Sequence, residues 1–118
     1  MPEEVSISES RKHITIRSFG ELSVNELKKA ISEVMLVHQE YGMEKVIVDS
    51  TKRDILPTFI DTLEGAKYLG EMTKGKIKFA IIVRNNPSDH GLFMQAALLH
   101  QAQISYFDNY KSAMKWLE

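Results

Sequence analysis

The sequence contains no cysteine among its 118 residues. Structural disulfides, thiol catalysis and thiolate-bound zinc are therefore excluded. Neither sign of charge is in clear excess, because 15 lysines and arginines stand against 16 aspartates and glutamates, which gives a formal net charge of −1. A protein whose main task is to bind nucleic acid normally carries a basic surplus, so we expect no nucleic-acid partner.

Long hydrophobic runs are also missing. The longest runs, Phe79 to Val83 and Ala96 to Leu99, fall far short of the roughly 20 residues that span a bilayer. The first residues lack the basic segment and apolar core of a signal peptide. We therefore expect a cytoplasmic protein without a membrane span.

Apolar residues make up 43% of the chain, enough to bury one core, and the length fits a single domain over residues 1–118. Hydrophobic periodicity predicts the element order β, β, α, β, α, β, α, β, α. Strands joined through helices run parallel. The sequence therefore predicts an α/β domain whose mixed sheet has about five strands, an N-terminal hairpin followed by parallel strands, together with four helices.

Capping signals delimit the first predicted helix at about residues 24–40. Ser23 and Glu26 form a capping box, in which the serine hydroxyl accepts from the backbone and the glutamate reaches back. Gly42 follows where a left-handed cap belongs. In the second predicted helix, Gly65 and Gly70 each weaken the helix by up to about 1 kcal/mol relative to alanine.

A β-branched run, Val46 to Val48, is typical of a strand buried at the centre of a sheet. We interpret the polar residues that follow it as the end of that strand. The last predicted helix is expected to be capped by Asp108 and to bury Tyr110, Ala113 and Leu117.

Polar residues follow two of the predicted parallel strands. In an open parallel sheet, ligands lie outside the carboxyl ends of the strands, and a helix start beside an arginine can hold an anion. The candidate ligand or partner edge comprises Asp49, Ser50, Thr51, Arg53, Arg84, Asn85, Asn86 and His90. The alternative is that polar residues occupy these turns whatever the function, because turn amides and helix starts need hydrogen-bond partners.

No motif points to catalysis, a metal or a cofactor. The four histidines do not occur at ligand spacing, and both a glycine-rich phosphate loop and the Gly-x-Ser-x-Gly motif are absent. We expect no metal, no cofactor and no enzyme. An enzyme would require Asp49 and His90 within hydrogen-bond reach in a cleft. Three alternating lysines, Lys74, Lys76 and Lys78, either form a basic edge or guard a strand end against aggregation.

Several segments carry a family pattern. Val46 to Asp49 match a strand of the form Val-Ile-Val-Asp, and Ala80 to Val83 match an Ala-Ile-Val-type strand. Leu92 to His100 match a small helix, and Ile104 to Phe107 match a brief strand that ends in Phe. Ala113 to Leu117 match a final Ala-x-x-Trp-Leu helix. In these features the chain resembles the bacterial STAS-related group, which has the anti-sigma-factor-antagonist-like (SpoIIAA-like) fold. The resemblance implies a single STAS/SpoIIAA-like domain that acts as a non-enzymatic regulatory or protein-interaction module.

The regulatory branch of that group carries a phosphorylated serine in an Asp-Ser-Ser-Gly motif at a helix start. The nearest match here is Asp61-Thr62, without the second serine and the adjacent glycine. The resemblance therefore offers Thr62 as a candidate phosphorylation site. The alternative is that Thr62 is a helix residue beside the core.

Two further hypotheses concern what the protein binds. Related architectures are compared with lipid-carrying folds, so a small-molecule or lipid-binding domain is the alternative function, and it requires an internal apolar pocket. The large apolar residues between Leu92 and Leu99 exceed one helix face. We therefore predict a homodimer whose interface uses this helix or Trp116. We also expect the protein to bind a protein partner.

Overall fold

The computed structural model describes residues 3–7, 13–19, 23–52, 59–84 and 91–118, and for residues 3 and 59 the backbone alone. These residues form five strands and four helices. In chain order they are β1 (Glu3–Ile7), β2 (Ile14–Phe19), α1 (Val24–Tyr41), β3 (Lys45–Lys52), α2 (Phe59–Thr73), β4 (Lys78–Ile82), α3 (Gly91–Leu99), β5 (Gln103–Phe107) and α4 (Tyr110–Leu117).

The five strands form one mixed sheet in the order β1-β2-β3-β4-β5. β1 and β2 pair antiparallel, and all other neighbours pair parallel. The predicted α/β architecture is confirmed. β3 lies in the middle of the sheet, and its residues Val46 and Ile47 are fully buried, as the β-branched run indicates.

Successive residues of a strand point to opposite faces of a sheet, and the two faces are covered differently. The first face is packed by α1, α2 and α3 in one large apolar cluster that includes Ile14, Val46 and Phe79. The second face is packed by α4 over β3, β4 and β5. There Ile47 and Ala80 belong to a smaller cluster with residues of α4. The domain therefore has three layers.

The ends of α1 follow the predicted caps. The Ser23 hydroxyl accepts a hydrogen bond from the backbone N–H of Glu26 at 3.2 Å, and Gly42 adopts a left-handed conformation with φ of 70°. Its N–H donates to the carbonyl of His38 at 2.8 Å. The Oε2 atom of Glu26 is buried without a hydrogen-bond partner, so this oxygen does not make the return bond of the capping box.

Two glycines let α2 approach its neighbours closely. A Cβ atom added at Gly70 would overlap the backbone of His100, which follows α3, and would lie only 2.7 Å from its carbonyl carbon. A Cβ atom added at Gly65 would meet the side chain of Leu27 and lie 3.6 Å from Phe93. Gly65 lies near Phe93 and the later residue Gly70 lies near the later residue His100. The helices α2 and α3 therefore run side by side in the same direction. Close packing explains why glycine occurs inside this helix.

Two boundaries and the exposure of one residue differ from the sequence prediction. β3 does not stop after Val48 but continues to Lys52, because β2 pairs with it as far as Phe19 through a register shift. The cap of α4 is Asn109 rather than Asp108, and its side chain accepts from the N–H of Ser112 at 2.8 Å. Tyr110 is about half exposed rather than buried, since it lies at the solvent side of the first turn of α4.

Within the part of the chain that the structure describes, no helix is both long and apolar enough to cross a bilayer.

Candidate functional site

Asp49 forms the centre of a polar cluster near the carboxyl end of β3, on the face covered by α4. Its Oδ1 atom accepts two hydrogen bonds from Thr51, one from the backbone N–H at 3.0 Å and one from the hydroxyl at 2.6 Å. Its Oδ2 atom accepts from the phenol of Tyr110 at 3.2 Å. Both oxygens of the carboxylate are therefore engaged within the protein.

Arg17 is the neighbour of Asp49 on the adjacent strand β2. Partial burial alone would raise the pKa of Asp49. The hydrogen bonds from Thr51 and Tyr110, together with the positive charge of Arg17, outweigh burial and hold that pKa below its usual value. Asp49 is consequently ionised throughout the physiological range, which suits a fixed hydrogen-bond acceptor rather than a proton donor.

Tyr110 shares the same electrostatic environment. Burial, the negative charge of Asp49 and the hydrogen bond to it raise the pKa of the phenol above its usual value, while Arg17 acts in the opposite direction. The phenol therefore remains a protonated donor. Sequence reasoning did not connect Tyr110 or Arg17 with this site, because they lie far from Asp49 in the chain and only the sheet and α4 bring them together.

The three polar residues that the sequence placed beyond a strand end lie inside the strand instead. Asp49 lies on the face that α4 covers, because it accepts a hydrogen bond from Tyr110 of α4, and Thr51 bonds to the same carboxylate. Ser50 lies between them in the strand and is buried, with 8% of its area exposed. The predicted trio is thus divided between one buried residue and two partly exposed ones.

Arg84 is exposed and lies two residues after Ile82, the last residue of β4. Asp49 pairs with Ile82, so Arg84 lies as far beyond Ile82 as Thr51 lies beyond Asp49. The structure therefore brings Asp49, Thr51 and Arg84 to one edge of the sheet. The remaining predicted members, Arg53, Asn85, Asn86 and His90, lie outside the described residues.

Thr62 lies in the first half of α2 and is buried, with only 9% of its area exposed to solvent. It shares the inward side of the helix with Ala66, Leu69 and Thr73, which are buried as well. A kinase would reach the hydroxyl only if this part of α2 moved away from the sheet.

A groove of about 400 Å³ lies at the opposite edge of the sheet, where the parallel strands begin. Charged and polar side chains dominate its lining, which consists of His38, Glu44, Lys45, Gly75, Lys76, Lys78, Gln103, Leu117 and Glu118. The groove is not the enclosed apolar pocket that the lipid-binding alternative requires. Among the described residues, no three histidines or carboxylates converge closely enough to hold a metal ion.

A mixed five-stranded sheet with three helices on one face and one on the other defines the class of the protein, an α/β domain with a SpoIIAA-like fold. A crystal structure similar to the chain is that of an uncharacterised protein of the DUF3478 family with a SpoIIAA-like fold from Shewanella loihica PV-4. The TM-score is 0.61 and the identity 17%, over 98% of this chain and 92% of that one. The SpoIIAA-like fold inferred from sequence patterns is confirmed. No protein-family model matches the sequence, and no curated protein matches it.

Proposed function

We propose that the protein is a non-enzymatic protein-interaction module, of the regulatory kind expected from the STAS resemblance. The binding surface is the carboxyl edge of the sheet, formed by Asp49, Thr51, Arg84 and their neighbours in space, Arg17 and Tyr110. The observation that supports this most is the state of Asp49, whose two oxygens are both engaged by protein donors. Three hydrogen bonds within the protein hold the carboxylate as a fixed acceptor, whereas a general base must be placed within hydrogen-bond reach of a substrate proton.

The same hydrogen bonds give the edge a fixed shape. Tyr110 belongs to α4 and Asp49 to β3, so the hydrogen bond between them ties the helix to the strand. The bonds from Thr51 to Asp49 lie within β3. Side chains held on rigid elements present a pre-organised surface, which reduces the entropy lost when a partner binds. Arg17 and Arg84 are exposed on either side of Asp49 and are suited to meet acidic or polar groups of a partner protein.

The proposal can be tested by comparing capture of partners from the source cells with a wild-type chain and with two charge-reversed chains. Arg84→Glu alters the proposed edge. Lys29→Glu makes the same kind of change on an exposed position of α1 and serves as the control. We expect a partner that Lys29→Glu retains and Arg84→Glu loses. A partner that both variants retain would place the interaction elsewhere on the protein.

A further inference from the structure

The outward side of α3 is apolar although it faces solvent. The helix contains no charged residue over Gly91–Leu99. Its inward side is anchored by Ala97, which is fully buried. Its outward side exposes three leucines, with 45% of Leu92, 49% of Leu98 and 83% of Leu99 accessible. A helix at the surface of a monomer normally turns charged and polar residues to water, so this side has the character of a covered surface.

α2 enlarges the apolar surface, because it runs beside α3 in the same direction. Its first turns expose Ile60, at 72% of its accessible area, and Leu63, at 37%. We use the name α3 face for the five exposed residues Leu92, Leu98, Leu99, Ile60 and Leu63. Exposed patches of this kind mark contacts with other macromolecules when they are contiguous and lack charge.

The charges beside the α3 face are of both signs. Glu64, Lys67 and Glu71 follow one another at turn spacing on the exposed side of α2. Glu64 pairs with Lys28 of α1 at 2.8 Å, and Lys67 approaches Glu71 to 3.8 Å. These pairs are exposed, so their mutual attraction is weak, and a rim with both signs can meet its own copy without net repulsion. The rim has no surplus of positive charge, which an anionic membrane would require.

Gln95 is the polar residue in the middle of α3, and it is exposed. A primary amide both donates and accepts hydrogen bonds, so it can pair with the identical side chain of a second molecule. A two-fold axis through the middle of the helix would bring two such side chains together and lay the leucines on either side against each other. The uncharged helix α3, the rim with charges of both signs and the amide of Gln95 are each complementary to a second copy of themselves.

We propose that a second copy of this chain covers the α3 face, with the two α3 helices packed antiparallel about a two-fold axis near Gln95. Such an interface is isologous, since each copy contributes the same residues. Nine helical residues extend about 13 Å, so the contact lies at or below the roughly 800 Å² per partner of standard interfaces. A contact of this size is typical of reversible association. Trp116 is not part of it, because that ring is half buried beside Phe107.

Sedimentation velocity from low micromolar to submillimolar concentration tests the dimer. We expect the wild type to change from monomer to dimer over this range. Leu99→Lys should weaken association at least about tenfold, since the two-fold axis places two altered side chains in one interface. Leu36→Lys is the matched control, because Leu36 is likewise exposed, at 64%, but lies on α1. Circular dichroism verifies that both variants remain folded.

A charge-pairing experiment tests the two-fold axis itself. Gln95→Glu and Gln95→Lys chains should each associate more weakly than the wild type, because like charges meet across the axis. An equal mixture of the two should associate more tightly than either alone. A wild type that stays monomeric at every concentration, or a Leu36→Lys chain as impaired as Leu99→Lys, would overturn the proposal. The α3 face and the proposed binding edge share no residue, so that failure would leave the proposed function untouched.

Discussion

Replacing Gly70 with alanine is expected to destabilise the protein, although alanine is the better helix former. Propensity alone favours alanine over glycine inside a helix by about 1 kcal/mol. The added methyl group would, however, overlap the backbone of His100, with the carbonyl carbon only 2.7 Å away. A backbone segment cannot rotate aside as a side chain can, so α3 would have to move away from α2.

The expected magnitude follows from measured costs of overpacking. Forcing an extra methyl group into a packed interior costs about 1–3 kcal/mol, and contact with backbone places this substitution toward the upper end. We expect Gly70→Ala to lower the free energy of unfolding by about 2–3 kcal/mol. For a domain of this size the loss corresponds to a fall in Tm of roughly 6–15 °C.

Two other glycines provide controls in the same experiment, urea and thermal unfolding followed by circular dichroism. A Cβ atom at Gly91 meets nothing within 4 Å, so Gly91→Ala should cause no loss. A Cβ atom at Gly65 meets the end of the flexible Leu27 side chain, which can rotate away, so Gly65→Ala should cost less than Gly70→Ala. A Gly70→Ala protein at least as stable as the wild type would refute the close packing of α2 and α3.

Three further predictions concern the polar cluster and α2. The pKa of Asp49 is depressed in the folded state, so its contribution to stability is present above its unfolded pKa of about 3.9 and is lost as the pH falls through the folded value. The stability advantage of the wild type over Asp49→Asn should accordingly shrink in acid unfolding experiments. Spectrophotometric titration should find the Tyr110 phenol ionising above the usual range, and closer to it in Asp49→Asn. Thr62→Asp should destabilise the protein in chemical unfolding, because it buries a charge, whereas an exposed Thr62 would tolerate the change.

The architecture could be predicted because its signals are local. Alternating apolar residues, a serine cap and a glycine with positive φ are each read within a few positions, and together they fixed the order of the elements and the limits of α1. The parallel sheet then followed from the connections. These features depend on backbone geometry that neighbouring residues determine.

The length of β3 could not be predicted because it depends on pairing rather than on its own residues. Asp49 is of a residue type depleted in strands, yet β2 on one side and β4 on the other extend the ladder past Val48. Once these residues are in the strand, Ser50 is buried while its two neighbours stay partly exposed. The sequence indicated the right segment but not this difference in burial.

The partners of Asp49 could not be predicted either. Arg17 approaches through strand pairing and Tyr110 through the docking of α4, and both contacts join distant parts of the chain. The same limit applies to Gly70. From the sequence, Gly70 only lowers the helix propensity of α2. The close approach of the His100 backbone explains why glycine is needed there.

The central claim is that Asp49 holds the edge of the sheet in shape and is not a reacting group or an anion site. The direct measurement is the thermal and chemical unfolding of Asp49→Ala beside the wild type, with phosphate and nucleotides titrated into both. We expect Asp49→Ala to lose about 1–3 kcal/mol, the range for leaving hydrogen-bond donors without their partner, and neither ligand to stabilise the wild type. Stabilisation by an anion that Thr51→Ala and Arg84→Ala abolish, with Asp49→Ala no less stable than the wild type, would contradict the claim.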